Sequence, residues 1–117
     1  MKKWLGDLFN AVDNKNTDAF VSFFTEDARF KFANAPAVYS RGNIHKTISQ
    51  FFSAIDGLQH EIKDVWEFGN VIICEGQVTY NRHDGSKASF PFVDILRMNN
   101  ELIADYRVYI DNTSLFS

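Results

Sequence analysis

The second half of the chain contains four long segments with the alternating pattern of β-strands. Side chains of a strand point alternately to its two faces, so apolar residues at every second position mark one buried face. A tight turn separates each segment from the next, and such short connections join antiparallel neighbours. The segments and turns are, in order, 60–68, Gly69-Asn70, 71–81, Asp84-Gly85, 86–98, Asn99-Asn100 and 101–111. The sequence therefore predicts an antiparallel meander.

Three helices and one short strand are predicted before this meander. The helical segments have apolar residues at the spacing of one helix face, and polar residues cap their ends. The elements are, in order, a helix at 3–12, a helix capped by Asn16 or Thr17, a strand at 28–32, a loop at 33–42 and a helix from its cap Asn43 to Gly57. A sheet with one apolar face must bury it against such helices. We expect an α+β fold in which a cone-shaped, curved, antiparallel or mixed sheet wraps around three N-terminal helices.

The composition excludes several classes of function. Hydrophobic residues make up 45% of 117 positions and twelve are Phe, enough for an aromatic core in a single domain over residues 1–117. The net charge is -3 and Lys and Arg are not clustered, so no nucleic-acid partner is expected. A single cysteine, Cys74, excludes an internal disulfide and a multi-thiolate metal site. Since no apolar run has membrane-spanning length and the N-terminus does not resemble a signal peptide, we expect a cytoplasmic protein with no membrane partner.

Asp94 is the main candidate for a functional residue because it lies in the apolar run 89–96. A carboxyl group among apolar neighbours must be solvated in a pocket, paired or protonated, since burying it unpaired is costly. Two roles stay open: Asp94 contacts a ligand, or it binds an arginine or the backbone at the sheet. A catalytic role needs a partner, for which Tyr39, Tyr80 and Tyr106 are the candidates.

The other candidates follow from strand parity and helix faces. In the last strand, Tyr106 and the apolar residues at alternate positions should face the interior, and Arg107 and Asp111 the outside. A role in the site is the alternative for those two outer residues. Of the histidines, His60 starts a strand that can border a cavity, and no two have metal-ligand spacing, so no metal or cofactor is expected. The residues predicted to line an aromatic cavity are Phe32, Phe52, Trp66, Tyr80, Phe90, Phe92 and Tyr106.

Four motifs spread along the chain are typical of one superfamily. They are Phe23-Phe24-Thr25-Glu26-Asp27-Ala28, Tyr39-Ser40-Arg41-Gly42, Phe92-Val93-Asp94-Ile95-Leu96-Arg97 and the final strand segment 103–111. With them the chain resembles the nuclear transport factor 2-like superfamily, in its branch of SnoaL-like polyketide cyclases and ketosteroid isomerases. The resemblance covers nearly the whole chain and implies a cystatin-like cone and a homodimer formed through the outer sheet face. Isomerases, cyclases, dehydratases, epoxide hydrolases and binding domains share this fold, so it implies no single reaction.

The resemblance carries over to individual residues only in part. Asp94 stands where ketosteroid isomerases have the protonated aspartic acid of their oxyanion hole. Phe32 stands where those enzymes have their general base, and Leu8 where they have a tyrosine partner. Phe92 occupies the place of the arginine that limonene epoxide hydrolases have two residues before their aspartate.

Two functions are expected from the sequence. The first is an acid–base enzyme without a metal, of the isomerase, cyclase or lyase type, that binds a small hydrophobic molecule and uses Asp94, with Tyr39 as a second candidate. The second is a non-catalytic domain of the same fold that binds a ligand or associates with a protein. Phe32 in the place of the general base favours the second.

Overall fold

The computed structural model describes residues 2–116. Within this range it contains three helices and six strands, so the predicted α+β class is confirmed. The elements are α1 Lys3–Asp13, α2 Thr17–Val21, β1 Phe24–Phe32, β2 Val38–Tyr39, α3 Arg41–Ser53, β3 Gly57–Phe68, β4 Val71–Asn81, β5 Lys87–Asn99 and β6 Leu102–Ile110. Strands β3 to β6 form the predicted meander.

The six strands form one curved sheet whose edges do not close. Its order is β2-β1-β6-β5-β4-β3, and all neighbours are antiparallel except β1 and β6, which run parallel. The last strand therefore lies in the interior of the sheet, between β1 and β5. The residues on the concave side of β6 are therefore covered by the helices.

The helices pack their apolar faces against the concave side of the sheet. The buried residues of α1 are Leu5, Leu8, Phe9 and Ala11, and those of α3 are Ile44, Ile48 and Phe52. Both sets recur every three or four residues, which places them on one stripe of a helix. In β4 and β5, buried residues alternate with more exposed ones, as expected for strands with one covered face. Within residues 2–116, no helix is long and apolar enough to cross a membrane.

The boundaries of α3 differ from those predicted. The helix begins at Arg41 rather than after Asn43, because the Ser40 side chain is the cap: its hydroxyl accepts a hydrogen bond from the Asn43 backbone N–H at 3.4 Å. The helix ends at Ser53, so Gly57 is the first residue of β3 and not the end of the helix.

The boundary between α2 and β1 also differs from the prediction. Asn16 caps α2, as one of the two predicted alternatives. β1 then begins at Phe24 rather than at Ala28, and the polar segment 25–27 belongs to the strand. Phe24 is fully buried and pairs with Ile103 of β6, so the tertiary pairing overrides the local preference of the polar segment.

A β-bulge in β3 reverses the faces that its last residues occupy. The pairing with β4 slips by one residue between Ile62 and Asp64, which leaves Lys63 as the extra residue. The strands approach closely here: a Cβ atom on Gly76 would lie 2.0 Å from the Glu61 carbonyl oxygen. Only glycine fits at that position, and the tight crossing accompanies the sharp bend of the sheet.

The bulge places Trp66 on the convex face of the sheet. Trp66 pairs directly with Ile73, which pairs with Ile95, and paired residues lie on the same face. The Trp66 side chain is 44% exposed. The structure thus places Trp66 on the opposite face from the cavity that it was predicted to line, because the prediction assumed unbroken alternation along the strand.

Candidate functional site

A cavity of about 210 Å³ lies between the helices and the concave face of the sheet. Its wall is mostly apolar and carries few polar groups, which is the usual composition of a small-molecule site. The polar side chains of the wall are Asp94, Tyr106, Tyr80, His60 and Thr47. Its aromatic hydrocarbon side chains are Phe20, Phe30, Phe32, Phe51, Phe52 and Phe92.

Asp94 is a buried acid with one free oxygen. It lies on β5 and is 2% exposed. The Tyr106 hydroxyl, on the neighbouring strand β6, donates a hydrogen bond to Asp94 Oδ2 at 2.8 Å. Asp94 Oδ1 is buried and has no hydrogen-bond partner among residues 2–116. A buried oxygen without a partner costs about 1–3 kcal/mol, so the hydrogen-bonding capacity of this atom is unsatisfied in the structure.

The environment favours the protonated form of Asp94. Burial raises its pKa from 3.8 to about 7, while the hydrogen bond from Tyr106 and the nearby His60 act in the opposite direction. Since Oδ2 accepts the bond from Tyr106, the proton of the acid form belongs on Oδ1. The acid form of Asp94 is thus a hydrogen-bond donor at the cavity.

The groups around Asp94 hold their protons more tightly than usual. Burial raises the pKa of Cys74 to about 12, and the charge of Asp94 adds to the effect. Burial also raises the pKa of Tyr80, and that of Tyr106 well above its ordinary value, again with a contribution from Asp94. These three groups remain protonated around neutral pH, where Asp94 titrates.

His60 is fixed at the cavity by Asp13. The His60 Nδ1 atom lies 2.6 Å from Asp13 Oδ1, and the His60 backbone N–H donates to Asp13 Oδ2 at 3.0 Å. A carboxylate at Nδ1 holds the proton on that nitrogen, which leaves Nε2 as an acceptor. The imidazole ring also packs against Phe9 and Phe92, with centroids 5.2 Å and 5.3 Å away. His60 is therefore held in one orientation at the cavity wall.

Five of the seven predicted lining residues lie in the cavity wall together with Asp94. They are Phe32, Phe52, Tyr80, Phe92 and Tyr106. Of the three tyrosines considered as partners, Tyr106 is the one that binds Asp94. The inward parity predicted for β6 also agrees with the structure, since Val108 and Ile110 line the cavity beside Tyr106.

Three predicted site residues lie outside the cavity. Trp66 is on the convex face because of the bulge, and Phe90 is buried beside Tyr80 but is not part of the wall. Tyr39 is 60% exposed on the edge strand β2, where it pairs with Arg29, so it cannot assist Asp94. The prediction of Tyr39 as a catalytic partner is wrong because its strand turns the side chain to the convex side.

The two outer candidates of β6 also lie away from the cavity. Arg107 Nε is 3.0 Å from Asp105 Oδ2, and Arg29 Nη1 is 3.1 Å from the other oxygen of the same carboxylate. Asp111 is exposed and accepts hydrogen bonds from Thr113. No group of three or more His, Cys, Asp or Glu side chains in residues 2–116 is arranged to hold a metal ion.

Sequence reasoning missed several members of the site. Asp13 stands in a polar stretch that marks the end of α1, 47 residues before His60, and no local pattern links the two. Phe20, Phe30 and Phe51 were expected in apolar faces, but periodicity does not distinguish a core position from a cavity wall. In both cases the residues could have been identified only from contacts between elements that are distant in the sequence.

The comparisons with known proteins agree with this fold. The profile of the SnoaL-like domain family matches residues 5–106. A comparison with curated protein sequences finds no significant match.

Several solved structures share the fold. A protein with a ketosteroid isomerase-like fold from Catenulispora acidiphila, in complex with trimethylamine, has a TM-score of 0.85 at 16% identity, covering 93% of this chain and 85% of that chain. A nuclear transport factor 2-like protein of unknown function from Burkholderia pseudomallei has a TM-score of 0.86 at 14% identity, covering 95% and 90%. A LEH-like epoxide hydrolase of M. tuberculosis has a TM-score of 0.80 at 13% identity, covering 96% and 83%.

At these identities the structural likeness concerns the fold, and the reactions of the neighbours are their own. The family profile covers most of the chain; the first three motifs noted in the sequence fall within the matched residues, and the fourth, 103–111, begins within them. The predicted resemblance is thereby confirmed: the chain belongs to the SnoaL-like domain family and has the ketosteroid isomerase-like, nuclear transport factor 2-like fold.

Proposed function

We propose that the protein binds a small, mostly apolar molecule in the cavity and moves a proton on it, with Asp94 as the acid and His60 as the base. The observation that carries the proposal is the free Oδ1 atom of Asp94, buried in the wall of an aromatic cavity. The trimethylamine complex of the Catenulispora protein supports a small molecule as the occupant of this fold.

The two polar groups suit the enolisation of a carbonyl compound. The acid form of Asp94 donates its proton from Oδ1 to the carbonyl oxygen. His60 Nε2 takes a proton from the carbon next to the carbonyl, and the electrons of that C–H bond form the C=C bond of the enol. Return of the proton from His60 to a different carbon of a conjugated enol gives an isomerisation. Attack of the enol carbon on a second carbonyl group of the same molecule gives a cyclisation.

Asp13 and Tyr106 support the two reacting groups. Asp13 fixes the orientation and tautomer of His60 through its contacts with the ring Nδ1 and the backbone N–H. Tyr106 directs the exchangeable proton of Asp94 to Oδ1 and stabilises the carboxylate that remains after transfer. His60 thus takes the part of the general base that is absent at Phe32.

Binding without catalysis is the second candidate. The cavity of about 210 Å³ is smaller than the roughly 300–1,000 Å³ of typical ligand pockets. A small cavity leaves little space for a substrate to move between reactant and product geometries. This observation favours a domain that holds a compact ligand and performs no reaction.

Deuterium exchange of acetophenone separates the two candidates. In D₂O, an enolising enzyme replaces the methyl protons next to the carbonyl, and NMR follows their loss. We expect exchange faster than in protein-free buffer, and a decrease of roughly 100-fold or more in Asp94→Asn and in His60→Gln. Binding measured by titration without faster exchange supports the non-catalytic candidate. Absence of both binding and exchange contradicts the proposed site.

We further propose a second copy of the chain as the partner of the convex face. An apolar row of paired residues, formed by Trp66, Ile73 and Ile95, crosses its centre. The β3–β4 side of this face is acidic and the β1–β6 side basic, so a twofold axis would bring unlike charges together. The acidic residues are Glu61, Asp64 and Glu75, with Lys63 beside Glu75, and the basic residues are Arg29, Lys31, Arg97 and Arg107, with Asp105 between them. Sedimentation of the wild type as a dimer and of Trp66→Asp as a monomer is expected; a monomeric wild type contradicts it.

A further inference from the structure

Phe51 lies across the opening of the concave sheet. It belongs to α3, and its ring centroid is 5.3 Å from that of Phe32 on β1 and 5.7 Å from that of Tyr80 on β4. Strands β6 and β5 separate β1 from β4 in the sheet. The Phe51 ring therefore contacts two strands that lie on either side of β6 and β5, which carry Tyr106 and Asp94. We refer to Phe51, which lines the cavity from the helix side, as the crossbar.

The floor of the cavity is formed by three rings, Phe20, Phe30 and Tyr106, that belong to a larger cluster of buried aromatic rings. Its members contact one another with ring centroids 5.0 to 6.5 Å apart, and they are Phe20, Phe24, Phe30 and Tyr106. All four are almost fully buried, so displacing any of them would disturb the core. A ligand cannot deepen the cavity at this end. On the helix side the cavity is bounded by the crossbar, whose ring is only partly buried.

The available volume is that of one ring with a short substituent. An apolar cavity of about 150 Å³ holds benzene, whereas pockets for larger ligands begin at roughly 300 Å³. The cavity of about 210 Å³ lies between these sizes. Fused polycyclic molecules exceed it unless the crossbar moves.

The free oxygen of Asp94 adds a chemical requirement to this size limit. Tyr106 occupies Oδ2, so the proton of the acid form belongs on Oδ1, the unpartnered oxygen of a residue that lines the cavity. A hydrogen-bond acceptor on the ligand satisfies that donor, and a carbonyl group combines an acceptor oxygen with an otherwise apolar body. We infer that the cavity takes single-ring carbonyl compounds and that Phe51 sets the one-ring limit; this inference rests on the proposed binding function of the same site.

Two methyl ketones that differ only by one ring test the size limit. Calorimetric titration should give a dissociation constant for acetophenone at least about tenfold lower than for 2-acetonaphthone, since an added ring exceeds the space. In Phe51→Ala the crossbar is removed, and we expect 2-acetonaphthone to bind about tenfold more tightly, which abolishes the preference. Phe51→Leu, a milder change that retains an apolar side chain, should shift the preference in the same direction.

Phe90→Leu is the matched control. Phe90 is a buried phenylalanine that also contacts Tyr80, at 6.0 Å between centroids, but it lies outside the cavity wall. Its loss disturbs the core without opening the cavity, so the preference for one ring should stay as in the wild type. Circular dichroism of each variant establishes that it is folded. If Phe51→Ala does not fold, the binding preference of Phe51→Leu is the test of the size limit.

Ethylbenzene tests the carbonyl requirement, because it has nearly the shape of acetophenone without the oxygen. The wild type should bind the ketone at least about tenfold more tightly, and Asp94→Leu should remove this difference. Equal binding of the two by the wild type overturns the carbonyl assignment.

The outcomes separate the inference from the function on which it rests. If the wild type binds no member of the series, the proposed binding function fails and the inference fails with it. If the wild type binds both ketones equally, or if folded Phe51 variants keep the one-ring preference, the size limit at Phe51 is overturned while the binding function stands.

Discussion

The two faces of the same sheet differ sharply in chemistry. The concave face carries aromatic rings and a single buried acid, Asp94, whose second oxygen has no partner among the described residues. The convex face carries paired charges, such as Asp105 between Arg29 and Arg107, and a central apolar row. Both faces are built from alternate residues of the same strands, so a shift of one position exchanges one chemistry for the other.

This contrast distinguishes the candidate site on the concave face from the ordinary charged surface on the convex face. A carboxyl group on the convex face satisfies its oxygens with arginines and solvent, as Asp105 does. The carboxyl group of Asp94 on the concave face has neither, and its raised pKa is the direct consequence. A functional residue in this fold is thus recognised by its lack of a partner rather than by its charge.

Truncation of an inner ring should have the largest effect on stability. Phe30 is 3% exposed and contacts Phe20, Phe24 and Tyr106. We expect Phe30→Ala to lower the free energy of unfolding by about 3–5 kcal/mol, measured by urea denaturation, because it opens a void in the floor of the cavity. A loss below 1 kcal/mol, on the order of a surface substitution, would mean that the concave face is not packed as described.

Removal of the carboxylate that holds His60 should have an intermediate effect. Asp13→Ala leaves the His60 backbone N–H and Nδ1 without their partner in a partly buried position, so we expect a loss of about 1–3 kcal/mol. Asp18→Ala is the matched control, because Asp18 also contacts a histidine, His45, at 2.7 Å but is 92% exposed. Denaturation of the control should differ little from the wild type. Equal losses in both variants would contradict the special position of Asp13.

Substitution on the convex face should have the smallest effect on the folded chain. Trp66 is 44% exposed and lies outside the cavity, so we expect Trp66→Ser to change the free energy of unfolding of the monomer by about 0.5 kcal/mol or less, measured by urea denaturation at concentrations at which the wild type is also monomeric. The same variant should bind acetophenone like the wild type in a calorimetric titration. A loss of binding would place Trp66 in the site after all and would remove the contrast between the faces.

The sequence predicted those features that depend on short-range periodicity. Alternation along β6 put Tyr106 on the inner face, and the apolar surroundings of Asp94 marked it as exceptional. The turns that join β3 to β6 defined the meander because their residues favour tight connections. These signals are local, and the structure preserves them wherever the strands are regular.

The features that the sequence did not predict depend on contacts between distant elements. The bulge at Lys63 changes the parity of Trp66 and is fitted to Gly76 on the next strand. Asp13 meets His60 only because α1 packs against β3. Phe90 and Phe51 are both phenylalanines in apolar faces, and only the three-dimensional arrangement shows which of them borders the cavity.

The pH dependence of stability tests the central claim, which is that Asp94 is a buried acid without a full set of partners. Its pKa is raised from 3.8 to about 7 in the folded state. The contribution of protonated Asp94 to the free energy of unfolding is therefore complete below pH 3.8, and it is lost as the pH rises through about 7. Between pH 3.8 and about 7, the free energy of unfolding of the wild type should fall by up to roughly 4 kcal/mol relative to that of Asp94→Asn.

The measurement is the free energy of unfolding of both proteins by urea denaturation at several pH values from acid to slightly alkaline. Taking the difference between the two proteins cancels the other carboxyl groups, which are the same in both. We expect the free energy of unfolding of Asp94→Asn to increase steadily relative to that of the wild type as the pH rises, and the difference to level off above about 7, the folded-state pKa of Asp94. A difference that stays constant with pH would contradict it, because Asp94 would then titrate like an ordinary exposed carboxyl group.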